Sequence, residues 1–229
     1  RLFTKVPVVY NNHNTMSEEL HQYFRSSVAK RTATWLGGIL DRGVPRRADA
    51  TVAISREAVG LLRGFGCQSV SYVPPGVDPV DFEGADARTA REILGLSGRQ
   101  WVVYAGNPDS YQDLDVLVDG VASLKDVGLI MVSASDLTAW RARSGLPPER
   151  LRLVQESRWQ ATRDIISAAD IAAIPRGVCS GFPIKLLNYL GLGVPTVCCE
   201  GSSRPLSGVF SSPNYDSTAF GEKIAWLLA

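Results

Sequence analysis

Two spacings of apolar residues alternate along most of this chain. Short, largely apolar runs occur at 101–105, 127–133, 171–174 and 196–199, and Leu151-Arg-Leu-Val154 is a further strand-like segment interrupted by Arg152. A strand covered on both faces shows no polar alternation, so these runs read as buried strands. Helical spacing lies between them. Leu114, Leu117, Val118 and Val121 mark a helix over 114–124, and further helices are predicted over 136–144 and 158–168. Phe220, Ile224 and Leu227 or Leu228 lie on one face of a last helix over 216–228. Strand and helix in alternation predict an α/β fold. Its parallel sheet is doubly wound, with right-handed crossovers and ligands at the carboxyl ends of the strands.

The front of the chain repeats the pattern on a smaller scale. Val6–Tyr10 is a β-rich run, followed by a polar loop over 11–15. Residues 17–42 read as mostly helical, with Ser17-Glu18-Glu19 at the start and Leu20, Tyr23, Phe24, Val28, Trp35, Leu36 and Ile39 as apolar positions. A strand over 48–54 precedes a helix capped by Ser55 that runs to about Gly64. Gly66 stops it and Ser69–Val73 forms another strand. Pro74-Pro75-Gly76-Val77-Asp78-Pro79 then breaks the pattern and divides the chain into 1–76 and 77–229. A short helix over 87–94 opens the second part. A three-stranded lobe is a small core, which predicts that the front of a larger domain is absent.

The stretch with most chemical content runs from Ser180 to Cys199. Gly181 and Pro183 make Ser180-Gly181-Phe182-Pro183 a tight loop, Ile184–Leu192 has helical spacing, Gly193 ends the helix, and Thr196–Cys199 is a buried strand. A loop that feeds a helix start offers free N–H groups and the positive end of the helix dipole, so it suits an anion. Lys185 in the first turn and Asn188 one turn on share a face. The same pattern also fits an ordinary loop–helix–strand unit with Lys185 in solvent. A second strand–loop–helix junction, Gly106–Gln112, lacks both GxGxxG and GxxxxGK[ST], which disfavours dinucleotide dehydrogenases and P-loop enzymes.

Composition narrows the picture. The 229 residues carry a net charge of +1, which gives no argument for nucleic acid. No apolar run is long enough for a membrane span, and Arg1–Val9 is too short and interrupted for a secretory leader. Cys67, Cys179, Cys198 and Cys199 form no CxxC, and they read as core thiols of a cytoplasmic protein rather than a metal site. Arg25, Lys30, Arg31, Arg42, Arg46 and Arg47 give the first part a basic bias. This is either a solvated helix face or a surface for anionic lipid or an anionic acceptor. The two histidines, His13 and His21, confine any histidine chemistry to the first part. His13 ends a strand in a polar loop, where either a structural or a catalytic role fits.

Taken in order, several segments carry a family resemblance: the loop with His13, Arg47–Ser55, Val73–Asp78, Val103–Asn107 with Tyr111-Gln112, Ala168–Ile171 and Gly181–Pro195. The chain resembles family 4 of the GT-B glycosyltransferases, retaining enzymes that use nucleotide-activated sugars. The resemblance implies a Rossmann-like donor domain over 77–229. It also implies a partial Rossmann-like acceptor lobe over 1–76, a chain too short to transfer sugar by itself, and no metal or other cofactor. Gly106, Asn107 and Gln112 would approach the donor diphosphate. Gly181, Phe182 and Pro183 would hold sugar and phosphate through backbone N–H groups, with Lys185 adding charge and Asn188 bonding the ribose. Gln155 and Glu156 would lie by the base, and His13 would face the donor sugar.

The departures from the family are specific. Ser180 and Asn188 take the places of its paired glutamates. Asn107 and Gln112 take those of the basic residues in its first diphosphate loop, and Asp113 stands where glycine is usual. These changes keep two other readings open: a homologue that binds a nucleotide sugar or a partner without catalysis, and a GT-B-like nucleotide-sugar epimerase. The scarcity of acid/base residues in the second part weighs against the epimerase.

Overall fold

The computed structural model describes residues 6–24 and 26–229. Arg25, one of the basic positions, and residues 1–5 lie outside the described residues. Two compact units are present. One comprises the chain up to Gly76 together with Val178–Pro183, and the other comprises Val77–Gly177 with Ile184–Ala229.

In the first unit β1 (Val9–Asn12), β2 (Ala50–Ala53) and β3 (Val70–Tyr72) form a parallel sheet in that order. β1 begins at Val9 rather than Val6. Pro7 has no N–H to give to a ladder, and the Val8 N–H donates to Asp49 Oδ2 at 3.0 Å. The helix expected over 17–42 is broken. α1 (Met16–Glu19) continues as one 3₁₀ turn and ends at extended Phe24, after which α2 (Ser27–Gly43) starts afresh. Ser26 sets that second start, since its hydroxyl accepts the Ala29 N–H at 3.2 Å. The buried Asp41 carboxylate of α2 accepts from the Met16 and Ser17 N–H groups at 2.8 and 2.9 Å, so one helix satisfies the orphan donors of the other.

α3 (Arg56–Gly64) has the cap that the sequence predicts. Ser55 Oγ accepts the Ala58 N–H at 2.9 Å and donates to the Ser180 carbonyl at 2.5 Å. Ser55→Ala should therefore cost about 1–2 kcal/mol. A urea titration checks this, and an unchanged midpoint contradicts it.

In the second unit six parallel strands lie in the order β6-β5-β4-β7-β8-β9. They are β4 (Gln100–Ala105), β5 (Val127–Ser133), β6 (Leu151–Gln155), β7 (Ile171–Ile174), β8 (Thr196–Cys199) and β9 (Val209–Ser212). The helices are α4 (Ala87–Leu94), α5 (Leu114–Ala122), α6 (Ala139–Arg143), α7 (Trp159–Ser167), α8 (Ile184–Gly191) and α9 (Ser217–Leu228). Val102, Tyr104, Leu117, Leu129, Met131, Phe220 and Ile224 sit in the core between sheet and helices. β9 is an addition to the predicted elements, because Val-Phe-Ser-Ser in a Ser- and Pro-rich stretch carries little strand signal. α6 is shorter than the predicted 136–144, because the Asp136 carboxylate instead holds a turn with the N–H and hydroxyl of Thr138 at 2.9 and 2.8 Å.

Candidate functional site

The strand order fixes where a ligand belongs. From β4 the chain steps outward to β5 and β6, and from β7 it steps the other way to β8 and β9. The crevice outside the carboxyl ends of β4 and β7 is therefore the topological switch point. A cavity of about 340 Å³ opens on this side of the sheet, next to the end of β4, within the range of small-ligand sites. Its lining includes Gly106 and Asn107 after β4, Ser133 and Ser135 at the end of β5, Glu156 after β6, and Lys185 and Asn188 on α8.

Lys185 is positioned from below. Its Nζ donates to Tyr104 Oη at 3.0 Å and to Gln112 Oε1 at 2.9 Å, and it lies 4.4 Å from the centre of the Tyr104 ring. Burial raises the Tyr104 pKa, so the phenol stays protonated and donates to the Asn107 carbonyl at 2.6 Å. Gln112 is buried, and its amide N–H donates to Asn107 Oδ1 at 2.9 Å. Asn107 in turn donates to Tyr111 Oη at 2.8 Å and to Asp109. The loop after β4 is thus a closed polar network with the ammonium at one edge. Gly106 has φ +152°, and a Cβ there would lie 2.8 Å from Lys185 Nζ, so glycine is what lets the ammonium approach this backbone. Tyr189 Oη accepts the Ala105 N–H at 2.8 Å and donates to the Ala105 carbonyl at 3.3 Å, which pins α8 to the end of β4.

Glu156 lies two strands away from Gly106 in sheet order, roughly 10 Å. The Arg158 side chain and N–H, with the Ser157 N–H, hold its carboxyl at about 2, so it is an anion at any ordinary pH. Cation and anion therefore mark different parts of the cavity.

The structure brings Gly106, Asn107, Glu156, Lys185 and Asn188 to one cavity, with Gln112 behind Lys185. Gln155 is not in the lining. It is exposed, and its amide donates to the Ala134 carbonyl at 3.2 Å. Ser180, Gly181, Phe182 and Pro183 belong to the first unit. The Gly181 N–H, expected to face a phosphate, donates to Asn14 Oδ1 at 3.0 Å, and the Ser180 N–H donates to Glu18 Oε2 at 3.1 Å. Buried Ser180 also accepts the Thr15 N–H on its hydroxyl at 3.2 Å, which accounts for it by packing alone. His13 is exposed on the loop after β1, with its Nε2 3.2 Å from Asn11 Nδ2. Sequence reasoning misses Tyr104, Tyr189 and Trp159 as parts of the site, because an aromatic residue at a strand or helix position reads as core.

A parallel six-stranded sheet with a cavity at its switch point is Rossmann-like, and the solved structures that share the fold place it in the GT-B class. A model described as Glycosyl transferases group 1 matches residues 99–229, more than half of the chain, and a model described as Glycosyltransferase Family 4 matches residues 1–81. The chain belongs to the glycosyl transferases of group 1. No curated protein sequence matches it.

Solved structures share the fold. Sucrose-phosphate synthase from Thermosynechococcus elongatus superposes with TM-score 0.83 at 18% identity, over 100% of this chain and 60% of that one. Anabaena HepE in complex with UDP-glucose gives 0.74 at 18%, over 97% and 62%. WaaG, a glycosyltransferase involved in lipopolysaccharide biosynthesis, gives 0.73 at 15%, over 99% and 67%. The chain thus spans about 60% of the length of the first of these.

Proposed function

We propose that this chain carries the donor site of a glycosyltransferase, which moves a sugar from a nucleotide diphosphate sugar to an acceptor with retention of configuration. The observation that supports it best is Lys185: an ammonium held by Tyr104 and Gln112 on the lining of the switch-point cavity. A diphosphate leaving group gains charge in the transition state, and an aimed cation stabilises it. In this reading the diphosphate lies by Lys185 and Gly106, the ribose by Asn188, and the base toward Ser135 and Glu156. UDP is the first nucleotide to test, since HepE was solved with UDP-glucose.

Transfer without a bound metal is part of the proposal, and activity that survives EDTA checks it. Roles for His13 and Ser180 in the transfer step are also part of it, though the packing of Ser180 leaves His13 the better candidate. His13→Ala should lower turnover without changing nucleotide affinity. The cytoplasm, where thiols stay reduced, fits the four buried cysteines.

Turnover and product analysis are read in the full-length parent protein, since this chain is expected to bind the donor without transferring sugar by itself. NMR of a reaction with UDP-glucose should show an α-linked product or α-glucose as the first anomer. A β-anomer contradicts retention. A full-length parent protein that binds the nucleotide sugar but never consumes it supports the non-catalytic reading, which Ser180, Asn107 and Asp113 favour.

The outer face of α2 supports a further partner, an anionic membrane surface. Val28, Trp35, Leu36 and Ile39 are 72%, 65%, 44% and 46% exposed. Lys30, Arg31 and Arg42 on the same helix are exposed, whereas its acid, Asp41, is buried. Among the described residues no helix is long and apolar enough to cross a membrane, so any contact of this helix is peripheral. Co-sedimentation should favour vesicles with anionic lipid over neutral ones and weaken with Trp35→Ser. Equal binding to both vesicle types contradicts this contact.

A further inference from the structure

Among the described residues two that are not glycine have positive φ, Asp113 at +51° and Tyr215 at +59°. The left-handed region is unfavourable for L-residues, and for a bulky residue such as Tyr it is rare. Strain of this kind persists where surrounding structure over-determines it. These two residues are far apart in sequence, yet they converge on one residue, Gly177. Asp113 Oδ2 accepts the Gly177 N–H at 2.8 Å. The Tyr215 ring lies against the Gly177 Cα, so that a Cβ there would be 2.6 Å from Tyr215 Cζ.

Asp113 occupies the N-cap position of α5, where an aspartate ordinarily accepts an N–H of its own helix. Its side chain makes no such bond and is given to Gly177 instead. Gly177 lies in the loop after β7, and Asp113 follows directly on Gln112, which holds Lys185. A second tie runs in parallel, with the Arg176 guanidinium 4.9 Å from the centre of the Tyr111 ring. Ser202 Oγ anchors the loop from behind by donating to the Arg176 carbonyl at 2.7 Å. The loops on the two sides of the switch point are thus fastened to each other through Asp113, at the cost of backbone strain.

We propose that Asp113 and Tyr215 are positioning residues for the donor. Together they clamp Gly177, and the clamp sets the loop after β4 that carries Asn107, Gln112 and through them Lys185. This rests on the donor-site reading of the switch-point cavity. Burial raises the Asp113 pKa against the pull of the Gly177 N–H and Arg176, and the side chain is half-buried.

Asp113→Gly and Tyr215→Gly separate a positioning role from a merely structural one, because glycine relieves the left-handed backbone while removing the clamp. The melting temperature should change by no more than a few degrees. Exchange of the Gly177 amide, read by NMR without any ligand, should speed up about tenfold in Asp113→Gly. The UDP dissociation constant, from calorimetry, should rise about tenfold in each variant, and the double variant should be no weaker than the weaker single, since both act through Gly177. Asp113→Asn tolerates the left-handed backbone and keeps an acceptor oxygen, so it should restore most of the affinity. Unchanged Gly177 exchange overturns the clamp itself. UDP affinity that stays at the wild-type level in both glycine variants, or falls additively, overturns the positioning role. A wild-type chain that binds none of UDP, GDP and ADP removes the donor-site reading and this inference with it.

Discussion

Lys185→Ala is expected to weaken nucleotide diphosphate binding by roughly 10- to 100-fold, which corresponds to the ~1.5–3 kcal/mol of a hydrogen bond to a charged group. The amine is half-buried against Tyr104 and Gln112, so its side chain is already ordered and little rotamer entropy is lost when an anion arrives. The fold should be unaffected, because the backbone of α8 is held separately, by Tyr189 at the end of β4. Lys185→Arg should not rescue binding in full. A guanidinium is planar and larger than an ammonium, and the space beside Gly106 is set by an approach of 2.8 Å between a virtual Cβ and Nζ. Calorimetry with the same nucleotide measures both variants. Equal affinity in Lys185→Ala and wild type contradicts the assignment of the phosphate subsite.

Gly128→Ala should give the largest loss of stability among these changes, about 3 kcal/mol. Gly128 on β5 is directly opposite Trp101 on β4, and the indole covers it. A Cβ at 128 would lie 2.4 Å from the Trp101 ring, which is fully buried and has the Arg152 guanidinium 5.0 Å from its centre. Neither the ring nor the two strands can yield without disturbing the β4–β5 pairing. The cost therefore falls at the upper end of the ~1–3 kcal/mol typical of overpacking. For a chain of this size that is a fall in melting temperature of roughly 6–12 °C. A scanning calorimetry trace that matches wild type contradicts the packing described for β4 and β5.

The parts of the fold that are legible in the sequence are those written locally. β5 and β7 have the bounds that their continuous apolar runs predict, because a strand buried on both faces has no other pattern. α4 runs from the Asp86 cap to Gly95 at φ +62°, an ordinary start signal and an ordinary stop signal. What is not legible depends on distant partners. Nothing near Gly181 in sequence indicates that its N–H is taken by Asn14, 167 positions away. The break before Ser26 loses to a continuous apolar count over 17–42, and only the cap geometry shows it.

The candidate site divides in the same way. Gly106, Asn107, Lys185 and Asn188 stand out in the sequence as loop and helix-start residues, and the sheet order gathers them. Tyr104 reads as core in the sequence, and it is in the core. Its role at Lys185 comes from one hydroxyl at the end of a buried side chain. Asp113, by sequence alone, is unfavourable beside a diphosphate. In the structure its carboxylate is given to the Gly177 N–H, a contact between the loops after two adjacent strands that no local pattern encodes.

The most direct test of the central claim is a calorimetric titration of this chain with UDP, GDP and ADP in turn, repeated with Lys185→Ala. A donor site at the switch-point cavity predicts that one nucleotide binds clearly more tightly than the others and loses roughly 10- to 100-fold in the variant. Binding that is equal in wild type and variant, or absent for all three nucleotides, would contradict it.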